Sequence, residues 1–320
     1  MPEPALTPPR RHVTPSEGRP PPPAAFVELG LATCFSFLRG ASDARDLILA
    51  AQALGYDALG IADANTLAGV VRLHTDAEAV NIRPIIGCRI ETVEGLAFLA
   101  YPQDRGAYGR LCRLISTGRM QTLTGEWQAK GVCQIDLAML AEHAEGLRLV
   151  LVPPADLDQT FALETESNVY AFLRGEAAVA PPVSNSISLS FPDLLPRLVH
   201  SLPSMRHVAA SYLYVGDDIA RIERLNALAR SSGLGLLATN EVLYATPARR
   251  PLQDVMTAIR HKTTVAKAGH LLEPNAERHL KSPEEMVRLF ERWPDAIAAT
   301  RQVADSCRFN LRELRYEYPE

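Results

Sequence analysis

The sequence predicts an α/β chain in which roughly seven buried strands alternate with helices and close into a β/α barrel, followed by a purely helical segment. Three observations carry this reading. Short apolar runs recur from Phe26 onward, most of them followed by a stretch of helical periodicity. The runs lack strict polar alternation, as strands buried on both faces do. The 320 residues are 47% hydrophobic and 22% charged, enough to build one large core or two modest ones. An open doubly wound sheet is the second reading.

The elements follow in order. Residues 1–25 hold nine of the 24 prolines and almost nothing apolar, so they read as a disordered, polyproline-like leader. Residues 26–33 (FVELGLAT) read as the first strand and 35–41 as a turn. Ser42 is placed to cap a helix whose Leu47, Ile48, Ala51 and Leu54 share a face, and Gly55 stops it where a left-handed residue is wanted. Further strands are expected at 58–62, 84–90, 96–101, 147–152, 208–215 and 235–239, with helices at 66–80, 104–117 and 217–231. Between 153 and 203, Pro181-Pro182 and scattered serines read as a long loop with one strand at 169–173. Beyond Tyr244 the pattern is helical at 247–261, 282–293 and 294–307, the second opened by Ser282-Pro283-Glu284-Glu285. The expected division is therefore a leader (1–25), a barrel (26–245) and a helical linker (246–320) whose RELRYEYPE end leads toward a further domain.

Composition narrows the function classes. Thirty-three basic against 37 acidic residues give a formal charge of −4, so there is no global basic field for nucleic acid. Five scattered cysteines without a C-x-x-C pair fit a reducing, cytoplasmic home, and no apolar run is long enough to span a membrane. Phosphate-loop, nucleophile-elbow and dinucleotide fingerprints are absent.

In a β/α barrel the chemistry belongs at the carboxyl ends of the strands. Those positions offer Gly30, Ala32, Thr33 and Cys34, then Asp63, then Arg89 and Glu91, then Asn240 and Glu241. The eight histidines include no H-x-H and no i, i+4 pair, so no imidazole-rich metal centre is offered. Asp63 can bind a cation or cap the next helix, with capping by Asp63 or Asn65 the favoured reading. Glu91 reads as a solvated strand-end charge, whereas Asn240 and Glu241 sit where a barrel puts function. Arg249, Arg250, Arg260, His261 and Lys262 form a basic strip that reads equally as a solvated helix face or a DNA contact.

Five segments carry a resemblance: FVELGLATCFSFLRGAS (26–42), LGYDALGIADANTLAGVVR (54–72), RPIIGCRIE (83–91), ATNEVLYATPARRPLQDVMTAIRHKTTV (238–265) and the long run 275–319. Together they resemble the N-terminal PHP (polymerase and histidinol phosphatase) domain of bacterial family C DNA polymerases, the DNA polymerase III alpha-subunit type, in the error-prone branch. The resemblance implies a distorted seven-stranded barrel. In metal-bound members the ligands are an H-x-H, a D-H, a Glu and a D-x-H. Here those positions hold Gly30 and Ala32, Asp63 and Ala64, Arg89, and Glu241 with Leu243. Only Asp63 and Glu241 keep ligand-competent oxygens, so the resemblance implies a scaffold with no metal and no catalytic residue of its own. Arg89 is expected to neutralise Asp63.

The resemblance further implies that polymerisation, with Mg2+, dNTPs and DNA, belongs to palm aspartates outside this chain. The barrel would pack on palm and thumb, with a sliding clamp and mutagenesis accessory proteins as further partners in translesion synthesis. A free-standing PHP-type phosphoesterase and a degenerate interaction protein are the alternatives.

Overall fold

The computed structural model describes residues 24–164 and 186–314, and within them strands form sheets of six, two and two. The six-stranded sheet has the order β10-β9-β6-β5-β4-β2, comprising β2 (Asp63–Ala64), β4 (Cys88–Glu91), β5 (Ala97–Pro102), β6 (Leu147–Val152), β9 (Met205–Ala210) and β10 (Gly235–Ala238). β1 (Ala58–Gly60) pairs in parallel with β3 (Arg83–Ile85), and β7 (Thr160–Glu164) pairs antiparallel with β8 (Ser186–Ser190). The sheet is mixed: β5 runs against both β4 and β6. Only residues 92–96 separate β4 from β5, with Gly95 at φ +86°, and so short a connection permits a hairpin but no helical crossover.

Two expected strands take a different form. Residues 26–33 are extended but belong to no ladder. They are tied on one side by the N–H groups of Gly60 and Ala62, which donate to Glu28 O at 2.8 Å and Leu31 O at 2.8 Å. On the other side the Ala32 N–H donates to Val242 O at 2.9 Å. The 84–90 strand is broken into β3 and β4 around Gly87, where an added Cβ would lie 2.4 Å from the Tyr101 ring. The close approach of that ring is what a glycine allows.

Helices cover the strands: α1 (Ala44–Ala53), α2 (Val70–Ala79), α3 (Arg105–Met120), α4 (Leu137–His143), α5 (Phe191–Ser201), α6 (Asp218–Ser231), α7 (Arg250–Arg260), α8 (Val265–Ala268), α9 (Pro283–Leu289) and α10 (Pro294–Ser306). Asp104, Asp136 and Ser282 cap α3, α4 and α9 through the side chain. Two expected caps are corrected. Asp43, not Ser42, caps α1, because its carboxylate accepts from the Asp46 N–H at 2.8 Å while Ser42 Oγ accepts from the Ala245 N–H. Neither Asp63 nor Asn65 caps α2, whose N-cap is Gly69 and which has no side-chain cap.

The stretch 153–203 holds more structure than the loop expected there. β7, β8 and α5 lie in it, and α5 carries Pro192 in its first turn, where proline is tolerated, and Pro196 inside it. The strand expected at 169–173 lies outside the described residues, as does nearly all of the 1–25 leader.

The apolar interior falls into two clusters. One fills the space between strands and helices, and the other gathers Val27, Leu29, Ile85, Leu99, Tyr101, Val150 and Leu237 with Ala299 and Val303 of α10. α10, beyond residue 245, contacts the first extended segment and the residue before β1. Thr300 of α10 accepts from the Val27 N–H at 3.0 Å, and Arg301 grips Asp57 through two hydrogen bonds of 2.9 and 2.6 Å. No helix among the described residues is long and apolar enough to cross a membrane.

Candidate functional site

Six of the seven positions singled out in the sequence converge. Gly30, Ala32, Ala64, Arg89, Glu241 and Leu243 line one cavity of about 190 Å³ together with Arg39, Arg260, Glu273 and Arg278. The extended segment contributes the first two, β2 and β4 the next two, and the turn after β10 the last two. Asp63, the seventh, is buried beside the cavity rather than in its wall.

The interior is an alternating run of charges. Arg39 makes a bidentate pair with Glu91, its Nη2 2.8 Å from Oε2. Glu91 lies 3.3 Å from Arg89 Nε, and Arg89 Nη1 lies 3.2 Å from Glu241 Oε2. Arg278 then bridges Glu241 at 3.6 Å and Glu273 at 2.9 Å. Burial alone would raise the Glu241 carboxyl, but Arg278 and Arg89 outweigh it and hold it below the ordinary glutamate range. Glu91 is therefore no solvated strand-end charge, because it links two guanidinium groups.

Arg89 does not neutralise Asp63, contrary to the sequence-based expectation. Asp63 instead accepts from the Thr33 N–H at 2.7 Å, Thr33 Oγ1 at 2.8 Å and Ser36 Oγ at 2.7 Å. Burial nevertheless raises its pKa, the hydrogen bonds from Ser36 and Thr33 opposing. It pins the turn that follows the first extended segment to β2.

Glu28, fully buried, does the same work at the other edge. Its carboxylate accepts from the Gly30 N–H at 2.6 Å, Thr239 Oγ1 at 2.5 Å and the Asn240 N–H at 2.8 Å. The Thr239 hydroxyl so held leaves no space at Gly30, where a Cβ would approach it to 2.3 Å. Glu241 follows in a left-handed conformation at φ +45°, uncommon for a residue with a side chain. Asn240 turns away from the cavity, donating to Glu277 O and His279 O at 2.6 Å and accepting from buried Lys281.

The basic strip is divided. Arg249 pairs with Asp46 at 2.6 Å, and Arg250 reaches Asp254 and Glu273 O. Arg260 lines the cavity and donates to Leu38 O at 3.3 Å, while Lys262 is exposed at φ +52°. Sequence reasoning missed Arg39, Glu273 and Arg278, which lie on turns and loops with no motif spacing to mark them.

A donor set for a metal cluster is not assembled: of the seven positions only Asp63 and Glu241 carry carboxylates, and both are engaged as described. Among the described residues no group of three or more His, Cys, Asp and Glu is placed to hold a metal ion.

The fold falls in a recognisable class: residues 28–174 of this chain match the family model of the PHP domain. Its relatives are more particular. It is 40% identical over 299 residues to the error-prone DNA polymerase of Caulobacter vibrioides, covering 93% of this chain and 24% of that protein. It is 43% identical over 301 residues to the error-prone DNA polymerase of Bradyrhizobium diazoefficiens, covering 92% and 24%. The chain thus spans about a quarter of the length of these relatives. Among solved structures, PsfC from Pseudomonas syringae aligns with 86% of this chain and 100% of its own at 10% identity and a TM-score of 0.36.

Proposed function

We propose that this chain is the PHP portion of an error-prone DNA polymerase, acting as a structural scaffold without polymerase or phosphoesterase activity of its own. The observation that carries the reading is the arginine–glutamate lining of the cavity. Where metal-bound relatives of the fold are expected to hold ligands, Gly30, Ala32, Ala64 and Leu243 offer none, and Arg89 and Arg278 set positive charge against Glu241. Guanidinium groups so placed repel a divalent cation and supply the counter-charge it would have given.

The extended segment 26–33 supports a closed barrel. It is tied to β1 on one side and to the turn after β10 on the other, and Glu28 bridges to Thr239 and Asn240 across that second seam. In this reading DNA, dNTPs and Mg2+ are handled by the remainder of the polymerase, in the cytoplasm and in translesion synthesis. The scaffold packs against that remainder, and clamp and mutagenesis proteins are further partners.

The test is direct. The purified chain is assayed for Mn, Zn and Fe content and for hydrolysis of phosphate mono- and diesters. Background activity and substoichiometric metal are expected; stoichiometric metal, or hydrolysis abolished by Asp63→Ala, overturns the scaffold reading in favour of a metal-dependent phosphoesterase.

A further inference from the structure

A second cavity lies away from the arginine–glutamate cluster, and we propose that it binds a phosphate-class oxyanion. It measures about 160 Å³ and is lined by Arg148 of β6, Ser204, Arg206 and His207 of β9, and Gln302 and Ser306 of α10. It lies beside the register shift between Leu149 and Val150, where the β6–β9 ladder is irregular.

The wall is rich in donors and contains no carboxylate. Asp305, the acid adjacent to Ser306, is engaged with Arg83 at 2.6 Å. Arg148 Nε donates to Ser306 Oγ at 3.1 Å, which fixes the guanidinium against the wall. Burial and Arg148 lower the His207 pKa, leaving a neutral ring with one N–H to donate. Arg206 is exposed, so the site is open to solvent. Two guanidinium groups gathered without an acid, in a chain of net charge −4, are the recognition chemistry of a tetrahedral oxyanion. The inference does not depend on the polymerase reading.

Calorimetric titration of the full chain with sodium phosphate at constant ionic strength, against sodium chloride, tests it. A single saturable event is expected, weakened about tenfold or more by Arg148→Gln and by Arg206→Gln and unchanged by Arg260→Gln in the other cavity. Absence of saturable binding, or loss with Arg260→Gln but not with Arg206→Gln, overturns the proposal. Should Arg148→Gln unfold, as circular dichroism would reveal, exposed Arg206→Gln decides. A short oligodeoxynucleotide distinguishes the source: competition with phosphate assigns a nucleic-acid backbone, and no competition assigns a free anion.

Discussion

Glu241 Oε2 lies 3.2 Å from Arg89 Nη1, and this contact occupies the place where the resemblance to metal-bound PHP domains puts ligands. Arg278 approaches the same carboxylate oxygen at 3.6 Å. One glutamate therefore faces two guanidinium groups, and the alternation continues outward to Glu91, Arg39 and Glu273.

Removing one partner from such a run leaves a charge without compensation. Arg278→Met is expected to destabilise the chain by about 2–4 kcal/mol, because Glu241 and Glu273 both lose a partner. Urea unfolding measures this, and the double variant Arg278→Met with Glu241→Gln is expected to recover part of the loss.

Glu28 gives a pH signature. Burial, more than any neighbouring charge, raises its pKa above the ordinary 4.5. A carboxyl raised in the native state stabilises the fold fully below its unfolded pKa and loses that contribution as pH rises through the native value. Wild-type stability should thus carry a downward component above about pH 4.5 that is absent from Glu28→Gln. At pH 7 the variant should still be weaker by about 1–3 kcal/mol, since an amide NH2 cannot accept from the N–H of Gly30 or Asn240.

Asp63→Ala is expected to lower stability by about 2–4 kcal/mol, because it strands the Thr33 N–H and two hydroxyls in a buried site. Amide exchange should quicken first in the turn at 34–40. An Asp63→Ala chain as stable as wild type would contradict the pinning role assigned to this carboxylate.

DNA contact by the basic strip is best tested without Arg250, whose reversal would disturb the Glu273 end of the charge run. In the full-length polymerase, Arg249→Glu with Lys262→Glu is expected to reduce the slope of log affinity against log salt by about 2. An unchanged slope would leave these residues as a solvated face.

Much of the fold was legible as pattern. β6 falls at the expected bounds, α6 and α10 within a residue, and Gly55 takes the positive φ that its place after α1 demands. These are local matters: periodicity, caps and a left-handed stop. α5 was missed inside a stretch read as loop, and 26–33 was read as a ladder strand because extended backbone and ladder pairing look alike in sequence.

By itself, the sequence determined the α/β class, the family resemblance and the residue types at the seven positions where that resemblance expects metal ligands, because residue identity settles whether a side chain can donate an electron pair. Only the tertiary structure decided what those side chains contact. Which carboxylate Arg89 faces depends on contacts between residues far apart in the chain: Arg89 meets Glu241 rather than Asp63, and Asp63 meets hydroxyls. Arg278 enters the same site from a loop that no spacing rule marks, because an ion pair is set by distance in space and not along the chain.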